Sequence, residues 1–181
     1  MTSLTDITLD LASPGDATAL TALGKATFVE TFGHLYKPED LQGFLEENHT
    51  AQHYQHLIEA DAWQVWLARV PGEPVGYAVA GPCTLPVDDL PSGAGEIKRL
   101  YILSAFQSSG LGGVMMDQMM NWLACAGFHP LYLSVYAENH GAQRFYARYG
   151  FEVIQRYEFM VGNHRDPELI MKCRDVSKGR M

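Results

Sequence analysis

Three glycines crowd four positions of the stretch "LSAFQSSGLGGVMM", Leu103 to Met116, where Gly110, Gly112 and Gly113 stand between a strand-like run and a helix-like run. A glycine loop that opens a helix gathers backbone N–H groups without intrahelical partners at the positive end of the helix dipole. The missing side chains let an anion approach closely. The chemistry on offer is phosphate binding; the alternative is a plain turn into a helix. No Gly-Lys-Ser or Gly-Lys-Thr follows the glycines, which removes the P-loop, and "GLGG" lacks the GxGxxG spacing of a dinucleotide fold. His49, His53 and His56 have helical spacing, but no matched carboxylate or cysteine pattern accompanies them, so they read as a polar helix face and no metal site is expected.

The elements that must position these residues follow from pattern. "DITLDLA", Asp6 to Ala12, alternates like a strand. Ser13-Pro14 then offers an N-cap and a proline for the first turn of a helix predicted over Pro14 to Tyr36. Pro38-Glu39-Asp40 opens a second helix through "LQGFLEEN", and Thr50 caps a third, "AQHYQHLIEA". "WQVWLARV" and "PVGYAVAG" form a predicted hairpin around "PGEP", and "GEIKRLYIL" alternates as the strand leading to the glycine loop. Beyond the loop, Val114, Met115, Met119, Trp122, Leu123 and Ala126 recur at helical spacing, with Gly127 to end the helix. Met115, Met116, Met119, Met120 and Cys125 read as its packing residues. "LYLSVY" is a strand, "ENHGAQRFYARYG" a short helix ended by Gly150, and "FEVIQRYEFMV" and "ELIMKC" are strands joined by "GNHRDP". Hairpins early and late, with a strand–helix–strand unit between them, give an α/β layer fold with a partly antiparallel sheet.

The chain of 181 residues, 47% hydrophobic, is expected to form a single domain over 1–181, with 174–181 as a flexible tail. Its formal net charge of −8 argues against nucleic-acid and anionic-membrane partners and favours a cationic small molecule. Cys83, Cys125 and Cys173 are odd in number and form no CxxC pair, so neither a disulfide framework nor a zinc site is suggested. With no basic-then-apolar leader and no long apolar run, a cytoplasmic location is expected.

Two motifs give the loop a more specific reading. Gln107-Ser108-Ser109-Gly110-Leu111-Gly112 has the form [QR]xxGx[GA], and it closely resembles the pyrophosphate-binding motif of the GNAT superfamily of acyl-CoA-dependent N-acyltransferases. Downstream, Asn139, Ala142, Tyr146, Gly150 and Phe151 reproduce that family's NxxAxxxYxxxGF pattern. The resemblance runs from about Trp63 to Cys173. "TFVETFGHLYKPEDLQGFLEE" and "GNHRDPELIMK" are similar to the branch containing bacterial spermidine/spermine acetyltransferases.

The resemblance implies a GNAT-like mixed sheet flanked by helices, with splayed central strands forming a cleft for acetyl-CoA. Backbone groups of Leu100, Tyr101 and Ile102 would pair with the pantetheine arm, and the segment Gln107, Ser108, Ser109, Gly110, Leu111, Gly112 and Gly113 would surround the pyrophosphate. Asn139 and Tyr146 complete the implied cofactor set, and Arg144 or Arg148 is a candidate for the outer phosphate. An aliphatic amine is protonated at neutral pH and must lose a proton before it can attack a thioester. Glu96 matches the family's general base in placement, an exposed strand-end carboxylate being its other reading. Tyr146 matches the tyrosine that protonates the leaving thiolate, simple ring packing being the alternative. His34 and Tyr36 would line the acceptor pocket, with Glu30, Glu39, Asp40, Glu46 and Glu47 as carboxylates able to steer a cation, a solvated helix face being the other reading of each.

The activity so implied is direct acetyl transfer from acetyl-CoA to a primary amine, such as a small cationic amine or polyamine. A protein N-terminus or lysine as acceptor, and a non-catalytic acyl-CoA-binding regulatory module, are the alternatives. A homodimer is the assembly that relatives suggest.

Overall fold

The computed structural model describes residues 6–175, so the expected tail lies outside the described residues beyond position 175. Strand β1 spans Thr8–Leu11. The Ser13 backbone N–H donates to Asp16 Oδ2 at 2.8 Å, which fastens the turn Pro14–Asp16 at the start of helix α1, Ala17–Phe32. Leu20, Leu23, Gly24, Thr27 and Phe28 are its buried stripe, at the three- and four-residue spacing of a helix face. The helix predicted to reach Tyr36 stops earlier: Gly33–Leu35 is a single tight turn, and Tyr36 is already extended. Pro38 contributes to that stop, because the residue before a proline is disfavoured in the helical region, and Lys37 has ψ 147°.

Helix α2 runs over Pro38–Asn48 and α3 over Ala51–Glu59, with Thr50 Oγ1 accepting from the His53 amide at 3.1 Å as an N-cap. Strands β2 (Gln64–Val70), β3 (Glu73–Pro82) and β4 (Gly95–Ile102) follow. Helix α4 spans Leu111–Cys125, β5 Leu131–Tyr136, α5 His140–Ala147, β6 Glu152–Val161 and β7 His164–Cys173. Two expectations for α4 change. Val114 is 43% exposed, the buried face being Leu111, Met115, Met116, Met119, Met120 and Leu123, and Cys125 is exposed. "GNHRDP" is not a connection either. The turn is confined to residues 162–163, and Pro167 sits inside β7, its carbonyl accepting from the Ala137 amide at 2.8 Å.

The strands form one mixed seven-stranded sheet in the order β1-β2-β3-β4-β5-β7-β6. β1 pairs antiparallel with β2. β4 pairs parallel with β5 from Gly95↔Leu131 to Ile97↔Leu133, and β5 pairs antiparallel with β7 from Leu131↔Cys173 to Tyr136↔Glu168.

Packing divides the chain into two compact units. The first comprises the chain up to Val79, Arg99–Met116 and Val161–His164; Leu20, Leu23, Tyr54, Leu57, Val65, Leu67, Tyr77 and Val79 cluster in its core. The second comprises Ala80–Lys98, Asp117–Met160 and the chain from Arg165 onward; in it Ala94, Tyr132 and Ile170 pack with Cys83, Leu85, Val87 and Tyr157.

Candidate active site

The glycine loop belongs to the first unit and is held from within. Glu30 on α1 accepts from the Ser104 amide at 2.9 Å, so this carboxylate anchors the turn Ser104–Phe106 that leads into the loop. Gln107 Nε2 donates to the Ile102 carbonyl at 3.0 Å, and its amide donates to the Ser104 carbonyl at 3.3 Å. The Ser109 hydroxyl donates to the Phe106 carbonyl at 2.8 Å and accepts from the Leu111 amide at 3.4 Å. Gly110 has φ 93° and Ser108 φ 60°. A serine held in that left-handed region stores on the order of 1 to 3 kcal/mol of strain, which the surrounding bonds must offset.

The Gly113 amide donates to the Gly110 carbonyl at 3.0 Å. None of these bonds takes the amides of Ser108, Ser109, Gly110 or Gly112. They stand at the N-terminus of a 15-residue helix, in a segment from Ser104 to Gly113 that carries no carboxylate. That chemistry fits a pyrophosphate. Leu100, Tyr101 and Ile102 are partly exposed on β4, and the Tyr101 ring stacks on Tyr77 at 5.8 Å.

The candidate acid and base lie in the second unit. Glu96 is 4% exposed, which corrects its reading as an exposed strand-end carboxylate. Its Oε2 accepts from the Thr84 amide at 2.7 Å and the Thr84 hydroxyl at 2.9 Å, with Lys98 Nζ 3.9 Å from Oε1. Tyr146 is half-buried on α5, its ring edge-on to Phe145 at 5.3 Å. Burial pushes its phenol up to about 12, so it holds its proton at neutral pH. Asn139 is the N-cap of α5, its Oδ1 accepting from the Ala142 amide at 3.1 Å. The Arg148 guanidinium lies over the Phe145 ring, 5.4 Å from its centroid.

Of the acceptor candidates, His34 is exposed in the turn after α1. The Tyr36 ring stacks on Phe28 at 5.9 Å and meets His164 edge-on at 5.3 Å. Asp40 accepts from the Asn163 amide at 3.0 Å, and Glu46 accepts from Gln42 Nε2 at 2.8 Å, so both carboxylates are engaged on the surface.

Sequence reasoning missed a buried polar network in the first unit. His49, 2% exposed, is no part of a polar helix face. Burial, with Arg99 nearby, lowers its pKa to about 3. Arg99 Nη1 donates to the Tyr54 hydroxyl at 3.0 Å, and Tyr54 donates to Tyr77 at 3.2 Å. Burial works against the Arg99 charge, but the phenols of Tyr77, Tyr54 and Tyr101 raise its pKa.

Residues 29–151 match the model of the Acetyltransferase (GNAT) family. The chain belongs to that family. The uncharacterized N-acetyltransferase in the pepI 3'region of Lactobacillus delbrueckii subsp. lactis is 28% identical over 179 residues, covering 93% of this chain and 98% of that one. Among solved structures, the PaiA N-acetyltransferase from Thermoplasma acidophilum, in complex with coenzyme A, has TM-score 0.75 at 16% identity, covering 93% of this chain and 99% of that one. The yncA acetyltransferase from Salmonella typhimurium, with its cofactor acetyl-CoA, has TM-score 0.65 at 18% identity, covering 93% and 94%. This GNAT chain thus shares its fold with acetyltransferases. Among its described residues no helix is long and apolar enough to cross a membrane.

Proposed function

We propose that this GNAT chain transfers the acetyl group of acetyl-CoA to a small cationic amine. The observation that carries the choice of acceptor is one face of the sheet in the second unit. Register partners point to the same side, so Glu96 (opposite Tyr132), Ser134, Glu168 and Asp166 share a face. Glu96 and Asp166 are buried and Glu168 half-buried on that face, in a chain of net charge −8. Carboxylates withdrawn from bulk water attract a cation more strongly than solvated ones.

Acetyl-CoA, when bound, supplies a thioester carbonyl open to amine attack and a thiolate as leaving group. The amides of Ser108, Ser109, Gly110 and Gly112 hold its pyrophosphate, and the backbone of Leu100 to Ile102 receives its pantetheine arm. Tyr146, its phenol pushed up to about 12 by burial, holds the proton that the leaving thiolate takes. Glu96, fixed by Thr84, accepts the proton that leaves nitrogen as the amide forms. Release of free thiol from acetyl-CoA, followed across diamines, polyamines, amino acids and peptides, tests this reading.

A further inference from the structure

The face that carries Glu96 also holds a hydrogen-bonded chain to which no role has been given. Ser134 Oγ donates to Glu168 Oε2 at 2.7 Å and lies 2.8 Å from the Tyr157 hydroxyl. A serine has one hydroxyl proton, and here it goes to Glu168, so the Tyr157 O–H must donate to Ser134. The direction is therefore fixed from Tyr157 through Ser134 to Glu168, and the phenol oxygen keeps its lone pairs for a further donor. All three side chains are half-buried, neither sealed in the core nor fully solvated. Ser134 is also the residue of β5 that follows Leu133, where the ladder with β4 ends.

Stability alone is a poor account of this arrangement. Tyr157 packs against the cluster of Ala94, Tyr132 and Ile170, and a carboxylate placed beside it with a neutral hydroxyl as its donor is no better than an apolar contact. Burial, with Asp166 adding to it against the Ser134 bond, raises the Glu168 carboxyl to about 7, so it can take or release a proton near neutrality. Burial also raises Tyr157 to about 12, which keeps the phenol neutral as a link. The other charged or titratable groups on this face are Asp166 and Lys172 of β7, Glu96 and Lys98 of β4, Tyr132 and Tyr136 of β5, and Cys83 in the loop before β4.

We infer that Tyr157, Ser134 and Glu168 form a proton relay that takes the first proton from the ammonium of the acceptor. The inference rests on the acetyltransferase reading above. An ammonium loses two protons on becoming an amide, and one must leave before nitrogen can attack. In the relay an N–H bond of the ammonium breaks and its proton joins the Tyr157 oxygen. The phenol proton passes to Ser134, and the serine proton passes to Glu168 Oε2, which later releases it to water. No electrons change hands. These are positioning and relay groups, separate from Glu96, which serves the second proton.

The test is the pH dependence of kcat/KM with a small diamine for the wild type, Glu168→Gln and Ser134→Ala, each variant first shown by calorimetry to bind coenzyme A as the wild type does. With the relay intact the ammonium itself is a substrate, so the rate rises to a plateau above about pH 7. Without it the neutral amine must be drawn from solution. The rate should then climb tenfold per pH unit toward the amine's own pKa of about 10, with a loss on the order of 10³-fold at pH 7 that recovers at high pH. Ser134→Ala cuts the same chain while keeping the Glu168 carboxylate, and gives the same profile. A loss equal at every pH, or variant profiles that plateau as the wild type's does, would overturn the relay. Wild-type protein that turns over no amine at any pH would instead remove the acetyltransferase reading beneath it.

Discussion

The His49 Nδ1 and the Tyr54 hydroxyl lie 2.8 Å apart, joining the end of α2 to α3 beneath α1. Tyr54 accepts from Arg99 and gives its proton to Tyr77, so the imidazole must carry its own proton on Nδ1 and donate it. Neutral His49 is the form that this site holds.

Protonation of His49 therefore opposes folding. Its folded pKa, near 3, is below the ordinary 6.5, so its contribution to stability is complete above 6.5 and is lost as pH falls toward 3. The wild type should lose stability relative to His49→Gln over that window, by at most about 1.4 kcal/mol per pH unit. Urea unfolding of both proteins at pH 7, 6 and 5 reads the difference. An unchanged gap between them would show that His49 titrates normally.

Gly24 exists to admit this network. A Cβ there would fall 2.5 Å from His49 Nδ1 and closer still to the Tyr54 hydroxyl. Although alanine favours helices, Gly24→Ala should destabilise by about 1 to 3 kcal/mol through overpacking, seen as a lower urea midpoint at constant slope. Stabilisation by the substitution would mean that the pair is free to move aside.

At Gly110, with φ 93°, valine is strained, and its branched side chain would intrude on the amides facing the phosphate. Gly110→Val should weaken coenzyme A binding at least tenfold in calorimetry, while circular dichroism retains the folded signal. A folded variant with wild-type affinity would return the loop to a simple turn.

Tyr146→Phe keeps the ring contacts with Phe145 and Phe151 and deletes the proton donor. Single-turnover rates should fall on the order of 10²-fold with coenzyme A affinity unchanged. Wild-type rates would confine Tyr146 to packing.

Much of this was legible in the sequence. The glycine loop, the Thr50 cap and the strand order around α4 follow from local rules, because caps, turns and alternation are properties of neighbouring residues. The NxxAxxxYxxxGF pattern likewise marked Asn139, which caps α5. What could not be read were pairings between distant segments. Nothing within a few residues of His49 signals that it would be buried among Tyr54, Phe28 and Phe44 rather than share a face with His53 and His56. Glu168 becomes unusual only when β7 sets it against β5 and Ser134 donates to it, although a lone serine in "LYLSVY" was a visible hint. Gly24 within an apolar helix was a second unused signal, since a mid-helix glycine sacrifices stability unless something must come close.

Transfer of acetyl from acetyl-CoA to a small cationic amine is read most directly by thiol release with spermidine, a diamine and an N-terminal peptide. Release with the small amines is expected far above the rate without acceptor. kcat/KM should fall only weakly as salt rises, because Glu96 and Asp166 are buried and salt screens buried charges much less than exposed ones. Faster release with the peptide, or no amine-dependent release at any salt concentration, would contradict it.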